Sequence, residues 1–161
     1  TPESLRDRVA PILEKRGFDC SGRSPEWLTR MAAICQEKIP TLNHIVEYTD
    51  FFFRDVTEYE VKAVNKHWRG PDAADRMRLI RGTMDGVADW THDAIKAAYE
   101  QVTRDTGESL GKFVHPTRLA LTGKSVGPGL FELAELLGKS ECLARMDRAI
   151  AYIGTLGEDQ S

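Results

Sequence analysis

Apolar residues recur three and four positions apart along almost the whole chain, the spacing that lines one face of an α-helix. Leu5, Val9, Ile12 and Leu13 mark a first helix, with Thr1 at the N-cap and Pro2 at the first helical position, where a missing amide hydrogen is no loss. Gly17 ends it. Ser24-Pro25 repeats the cap-then-proline signal and opens a second helix bearing Trp27, Leu28, Met31, Ala32 and Cys35, which Pro40 interrupts. Leu42, Ile45 and Val46 start a third helix, Phe51-Phe52-Phe53 follow directly, and the spacing predicts a fourth helix over 58–68. Gly70-Pro71 is the sharpest punctuation so far, and it places the boundary between two lobes there.

Beyond it, Met77, Ile80, Met84 and Val87 form one apolar stripe, and Ile95, Ala98, Tyr99 and Val102 form another behind a Thr91 cap. Two antiparallel helices follow from that pattern, closed by Gly107 and Gly111. Residues 113–129 hold Pro116, Gly123, Gly127, Pro128 and Gly129 and show no helical period, so they read as a long loop and as the place to look for function. Leu130, Leu133, Ala134 and Leu137 mark the next helix, and Leu143, Met146, Ile150 and Ile153 the last, with Gly138-Lys139 between them. The expected fold is all-α and two-lobed, with a first lobe over 1–70, a second over 71–156 that carries the loop, and a tail that frays from Gly154, 157–161 belonging to neither lobe.

The chain has 161 residues, 41% hydrophobic and 29% charged, which suits one ordinary domain or two small lobes that need no metal or disulfide to fold. No apolar run is long enough to span a bilayer, so a membrane is excluded as partner. The first residues, Thr1-Pro2-Glu3-Ser4, have no signal-peptide pattern and no initiator Met, and read as a cut within a longer cytoplasmic protein. Cys20, Cys35 and Cys142 form no C-x-x-C pair and read as reduced structural thiols. A net charge of -3 argues against a strongly electrostatic nucleic-acid binder, but the positive residues cluster: Arg76, Arg78 and Arg81, then Arg118 and Lys124, then Arg145 and Arg148. A shape-guided binder of modest charge remains open.

Catalytic patterns are weak. Gly123-Lys124-Ser125 and Gly138-Lys139-Ser140 imitate the end of a phosphate-binding P-loop, but Arg118 and Leu133 stand where its first glycine is needed, and no strand precedes either. His44, His67, His92 and His115 are widely separated and pair with no other His or Cys at metal-ligand spacing. Glu132 and Glu135 share a helix face and read as solvated. Phe51-Phe52-Phe53 could stack on bases but reads as packing. Arg145 and Arg148 lie three apart on one face of the last helix, equally a solvated surface or a phosphate contact. Read this way, the chain binds rather than catalyses.

One stretch is specific. Val114-His115-Pro116-Thr117-Arg118-Leu119-Ala120-Leu121-Thr122-Gly123, then Gly127-Pro128-Gly129-Leu130-Phe131-Glu132, then Leu136-Leu137-Gly138-Lys139 resembles, in order and spacing, the C-terminal signature of bacterial glutamyl-tRNA synthetases, class I aminoacyl-tRNA synthetases. Thr41-Leu42, Tyr48-Thr49-Asp50-Phe51-Phe52-Phe53, Trp90-Thr91, Leu110-Gly111-Lys112 and Arg145 extend the match, from about residue 26 to 153. The resemblance implies an all-helical, two-lobed domain that grips the anticodon loop of tRNA(Glu), and of tRNA(Gln) if selectivity is loose. The ATP, Mg2+ and glutamate chemistry then belongs to a separate Rossmann-type domain whose H-I-G-H and K-M-S-K-S motifs do not occur here. This chain has no catalytic residue, metal or cofactor in that reading, acts as a monomer in the cytoplasm, and binds no DNA. It also implies that Arg118 and the turn Gly127, Pro128, Gly129 and Leu130 meet the anticodon, and that Lys38 stands where many members carry an Arg for the third anticodon base. Lys124, Arg145 and Arg148 are candidate phosphate contacts. The competing reading is a helical protein-interaction module, or a solitary paralogue without tRNA binding.

Overall fold

The computed structural model describes residues 2–15, 17, 23–36, 50–125 and 129–158, and among them only helices and connecting turns occur. They are α1 (Pro2–Lys15), α2 (Pro25–Gln36), a 3-10 turn (Asp50–Phe52), α3 (Val61–His67), α4 (Ala73–Asp85), α5 (His92–Thr106), α6 (Gly111–Thr122), α7 (Leu130–Leu137) and α8 (Lys139–Glu158). The expected all-α class is what the chain adopts. The third helix expected on Leu42, Ile45 and Val46 lies outside the described residues, as do Cys20, His44 and the side chain of Cys35.

Local signals account for most helix ends. Ser24 Oγ accepts from the Trp27 amide at 3.1 Å, and Thr91 Oγ1 from the Ala94 amide at 3.2 Å, each satisfying an amide that the first turn leaves without a partner. Gly107 stops α5 in the left-handed conformation at φ 74°. Met77, Ile80 and Met84 of α4 and Ile95, Tyr99 and Val102 of α5 are buried, as their spacing requires. Phe51 and Phe52 are buried too, with Trp27 packed edge-on against Phe52 at 5.4 Å and Phe53 at 5.7 Å, so the aromatic run is core.

The largest departure concerns residues 113–129. Most of that stretch is helix: α6 runs through Pro116 to Thr122. Pro116 and the flanking glycines are loop signals, and with Phe113, Pro116, Thr117, Leu119, Ala120, Leu121 and Thr122 all buried, the polar face of α6 narrows to Lys112, His115 and Arg118. α6 packs against α3, α4, α7 and α8. That enclosure offsets the roughly 3 kcal/mol that a proline costs inside a helix. Thr117 donates to the Phe113 carbonyl at 2.7 Å and accepts from the Tyr99 hydroxyl at 2.9 Å, so its buried polar atom is satisfied.

Two smaller differences have tertiary causes. The helix expected over 58–68 begins only at Val61, because the chain before it runs extended along the end of α6, where the Glu60 amide donates to the Gly123 carbonyl at 2.8 Å. The last helix does not fray at Gly154 but continues to Glu158, with Ile153 and Leu156 each 6% exposed. Gly111, expected to close a helix pair, opens α6 instead.

Candidate functional site

The segment from Thr122 to Leu130 joins α6 to α7, and both of its ends are fastened. At the α6 end Gly123 adopts φ +77°, and a β-carbon there would lie 2.5 Å from the Glu58 carbonyl oxygen, so only glycine fits without displacing backbone. Thr122 Oγ1 donates to the Arg118 carbonyl at 2.8 Å and accepts from the Lys124 amide at 3.0 Å. Ser125 Oγ lies 3.0 Å from Glu60. The connection therefore leaves the helix in one direction, set by side chains more than sixty residues apart in sequence.

At the other end, α7 is anchored by its C-terminal carbonyls. The Trp90 indole donates to the Ala134 carbonyl at 2.8 Å, and the Trp27 indole to the Leu136 carbonyl at 2.9 Å. These carbonyls fall in the last turn, and that of Ala134 also accepts from the Gly138 amide at 3.1 Å, so the Trp90 indole is its second donor. Glu135 adds an ion pair with Arg30 and accepts from the His92 amide at 3.2 Å. With its far end held from α2 and α5, α7 presents Gly129 at its N-cap, exposed with φ −53° and ψ 133°, and the Glu132 carboxylate folds back beside it at the positive end of the helix.

The expected site residues divide sharply. Lys38, Gly127 and Pro128 lie outside the described residues. Arg118 is partly buried on α6, and burial pulls its guanidinium below the ordinary arginine range by removing water from the charge. Leu130 is 3% exposed, so its side chain belongs to the core and only its backbone faces the loop. Lys124 pairs with Asp50 at 3.0 Å. The depression it borders, about 430 Å³, is lined by Asp50, Asp55, Glu58 and Glu60 against Arg54 and Lys124, an acidic surround that disfavours phosphate.

Arg145 corrects an expectation. Only 3% exposed, it donates to Glu141 at 2.7 Å, to the Leu121 carbonyl at 2.6 Å and to the Arg54 carbonyl at 3.3 Å. Its guanidinium ties the end of α6 to the chain after the aromatic run and is turned away from any phosphate. Arg148 is exposed, with Glu141 at 3.6 Å and Asp55 at 3.9 Å. The basic stretch on α4 is also matched by acids: Arg76 to Glu108 at 2.7 Å, Arg78 to Asp75 at 3.1 Å and Arg81 to Asp147 at 2.9 Å.

Sequence spacing missed a basic depression of about 440 Å³, lined by Lys66, His67, Arg76, Ser109, Gly111, Lys112, His115 and Pro116. His67 and His115 stack there with ring centres 5.2 Å apart, although 48 positions separate them in the chain. No short-range signal could reveal a pair that only the packing of α3 on α6 creates. Among the described residues, no group of three His, Cys, Asp or Glu side chains is placed to hold a metal ion. No helix among them is long and apolar enough to cross a membrane.

Comparison with known proteins gives this arrangement a family. The chain is 36% identical over 161 residues to a glutamate--tRNA ligase of Desulforudis audaxviator, an alignment covering 92% of this chain and 30% of that protein. It is 37% identical over 158 residues to one from Moorella thermoacetica, covering 94% and 32%. The chain thus spans about a third of the length of these relatives. Among solved structures, a glutamate tRNA ligase from Elizabethkingia meningosepticum, in complex with its amino acid, superposes with a TM-score of 0.83 at 25% identity, over 93% of this chain and 29% of the other. The anticodon binding domain family matches residues 4–150, nearly the whole sequence, and the chain belongs to that family.

Proposed function

We propose that this chain is the tRNA-reading part of a glutamate--tRNA ligase, holding the anticodon arm of tRNA(Glu) while ATP, Mg2+ and glutamate are handled by a catalytic domain elsewhere in the protein. The observation that carries this reading is the fixed geometry at both ends of the connection between α6 and α7: Gly123 is locked at the end of α6 just beyond the partly dehydrated Arg118, and Gly129 is exposed at the start of α7 with the Glu132 carboxylate beside it. Glycine-rich backbone lets unstacked bases come close, amides at a helix start donate to their acceptors, and an arginine both stacks and donates. Gly127, Pro128, Gly129 and the backbone of Leu130 supply the turn, and Lys38 addresses the third anticodon base. Arg148, exposed beside Glu141 and Asp55, is left as a candidate phosphate contact, and Lys124 becomes one only where a phosphate displaces Asp50 from it. Catalytic residues are not assigned to this chain, and the lobe division at residues 70 and 71 belongs to the same proposal, as do a monomeric state and a cytoplasmic location.

The test is binding of a glutamate anticodon stem-loop against the same stem-loop with a scrambled anticodon. Arg118→Ala should weaken the first by roughly tenfold, the scale of one lost charge-assisted contact. Equal affinity for both stem-loops would overturn the reading. The same assay with stem-loops that differ only in the third base addresses Lys38. Its ammonium is a mobile point charge rather than a planar fork, so Lys38→Arg should sharpen discrimination against the tRNA(Gln) base, and unchanged discrimination would remove Lys38 from the site.

A further inference from the structure

The basic depression between α3 and α6 lies apart from the loop, yet it continues the same face. Gly111, His115, Arg118 and Thr122 fall at intervals of four, three and four along α6, which places His115 one turn before Arg118. His67 comes from α3 and stacks on His115 with an angle of 22° between the rings. Lys66 of α3 and Lys112 of α6 line the same depression and are exposed. Arg76 reaches it from α4, with the Nε–Nη2 edge of its guanidinium held by Glu108 at 2.7 and 2.9 Å. Asp72 lies 3.9 Å from Arg76. The charges facing the histidines are therefore Lys66, Lys112 and Arg76 against Glu108 and Asp72: three minus two leaves one positive, and protonating both imidazoles makes it three. Beyond Glu108, no carboxylate near this depression pairs with its lysines among the contacts described.

We propose that Lys66, His67, Lys112 and His115 form a binding site for a backbone phosphodiester of the bound RNA, one that takes up protons as the phosphate arrives. The proposal rests on the RNA-binding reading above. The geometry supplies the reason: His67, partly buried and stacked on a second imidazole beside Lys66, resists charging, and a phosphodiester placed there removes that resistance because the ring can then donate to an anionic oxygen. Before binding, His67 is held below the ordinary histidine range, first by burial, then by His115 and Lys66. The sign follows. A depressed histidine leaves the folded protein less protonated than the unfolded chain, so this group costs stability as pH falls below about 6.5. An anion that raises its proton affinity binds more tightly at acid pH.

The experiment uses NMR of the imidazole groups in the full 161-residue chain, with His92 as an internal control. Sulfate is one probe, since its charge is constant from pH 5.5 to 8, roughly the window of a histidine, and chloride at matched ionic strength is the blank. The glutamate stem-loop is the second probe. Both should raise the His67 titration midpoint, and stem-loop affinity should be about threefold to fivefold higher at pH 6 than at pH 8, what a rise of about one unit gives when the midpoint starts below about 6.5. Lys66→Gln with Lys112→Gln should weaken the stem-loop and lower its salt slope by about one phosphate contact. His67→Gln should abolish the pH response and leave Arg118-dependent binding in place. A stem-loop that binds without moving His67, or that binds the double lysine variant as it binds wild type, overturns this proposal and leaves the anticodon reading intact. A stem-loop that does not bind at all overturns both, and a response to sulfate alone would then mark a site for free anions instead.

Discussion

Gly123 and Arg145 show how much the loop depends on single side chains that do not touch a ligand. Gly123→Ala places a β-carbon 2.5 Å from the Glu58 carbonyl and also forces a left-handed conformation, whereas Gly107→Ala at φ +74° meets no atom within 4 Å. The left-handed penalty is about 1–2 kcal/mol for either. Thermal or urea unfolding should therefore show a loss of about that size for Gly107→Ala and at least twice it for Gly123→Ala, and equal losses would mean that the contact with Glu58 yields. Arg145→Met strands the Leu121 and Arg54 carbonyls and should cost about 2–3 kcal/mol, the scale of buried acceptors left without their donor, since Glu141 stays hydrated. Arg148→Met, on an exposed pair, should cost under about 1 kcal/mol. Comparable losses in the two variants would contradict a structural role for Arg145.

At the scale of elements, α7 matters most, because eight residues are too few to hold a helix without help from neighbours. Leu130, Leu133, Ala134 and Leu136 face the core, while the Trp90 and Trp27 indoles receive its last carbonyls. Trp90→Phe keeps an aromatic ring and removes the donor, so it should destabilise the chain by about 1 kcal/mol. Stem-loop binding should weaken with it, since the helix start at Gly129 is held from the far end. Unfolding that is unchanged in Trp90→Phe would show that the bond carries no weight. Cys142 belongs to the same packing: it is buried beside the Ala134 carbonyl, and burial pushes its thiol up to about 12, so it stays protonated and unreactive at neutral pH.

For the whole molecule, a net charge of -3 bears on how the proposed RNA partner is held. The arginines of α4 and α8 are largely neutralised by Glu108, Asp147, Glu141 and Asp75, so these clusters add little to the displacement of counterions. Stem-loop affinity should fall with salt, with a slope of only about two to four phosphate contacts. A slope near zero would favour a protein partner, and a much steeper one would mean that the arginine pairs open on binding.

The helices with one polar face were legible from residue spacing alone: α1, α2, α4, α5, α7 and α8 announce themselves by period, cap and terminal glycine, because each buries a stripe against neighbours and leaves the rest in water. The family was legible in the same way, from motifs around Arg118 and Gly129. What local pattern could not convey is whatever depends on enclosure or on distant pairs. α6 is buried on most sides and keeps only a narrow polar face beside the loop signal of Pro116; the extended run before α3 exists only because Gly123 accepts from the Glu60 amide; Arg145 is turned inward by carbonyls 24 and 91 positions away. The His67 and His115 stack is likewise a product of two helices meeting. Side-chain spacing specifies which face of a helix is apolar, but the partner that covers that face, and the polar atoms that end up beside it, are decided by packing.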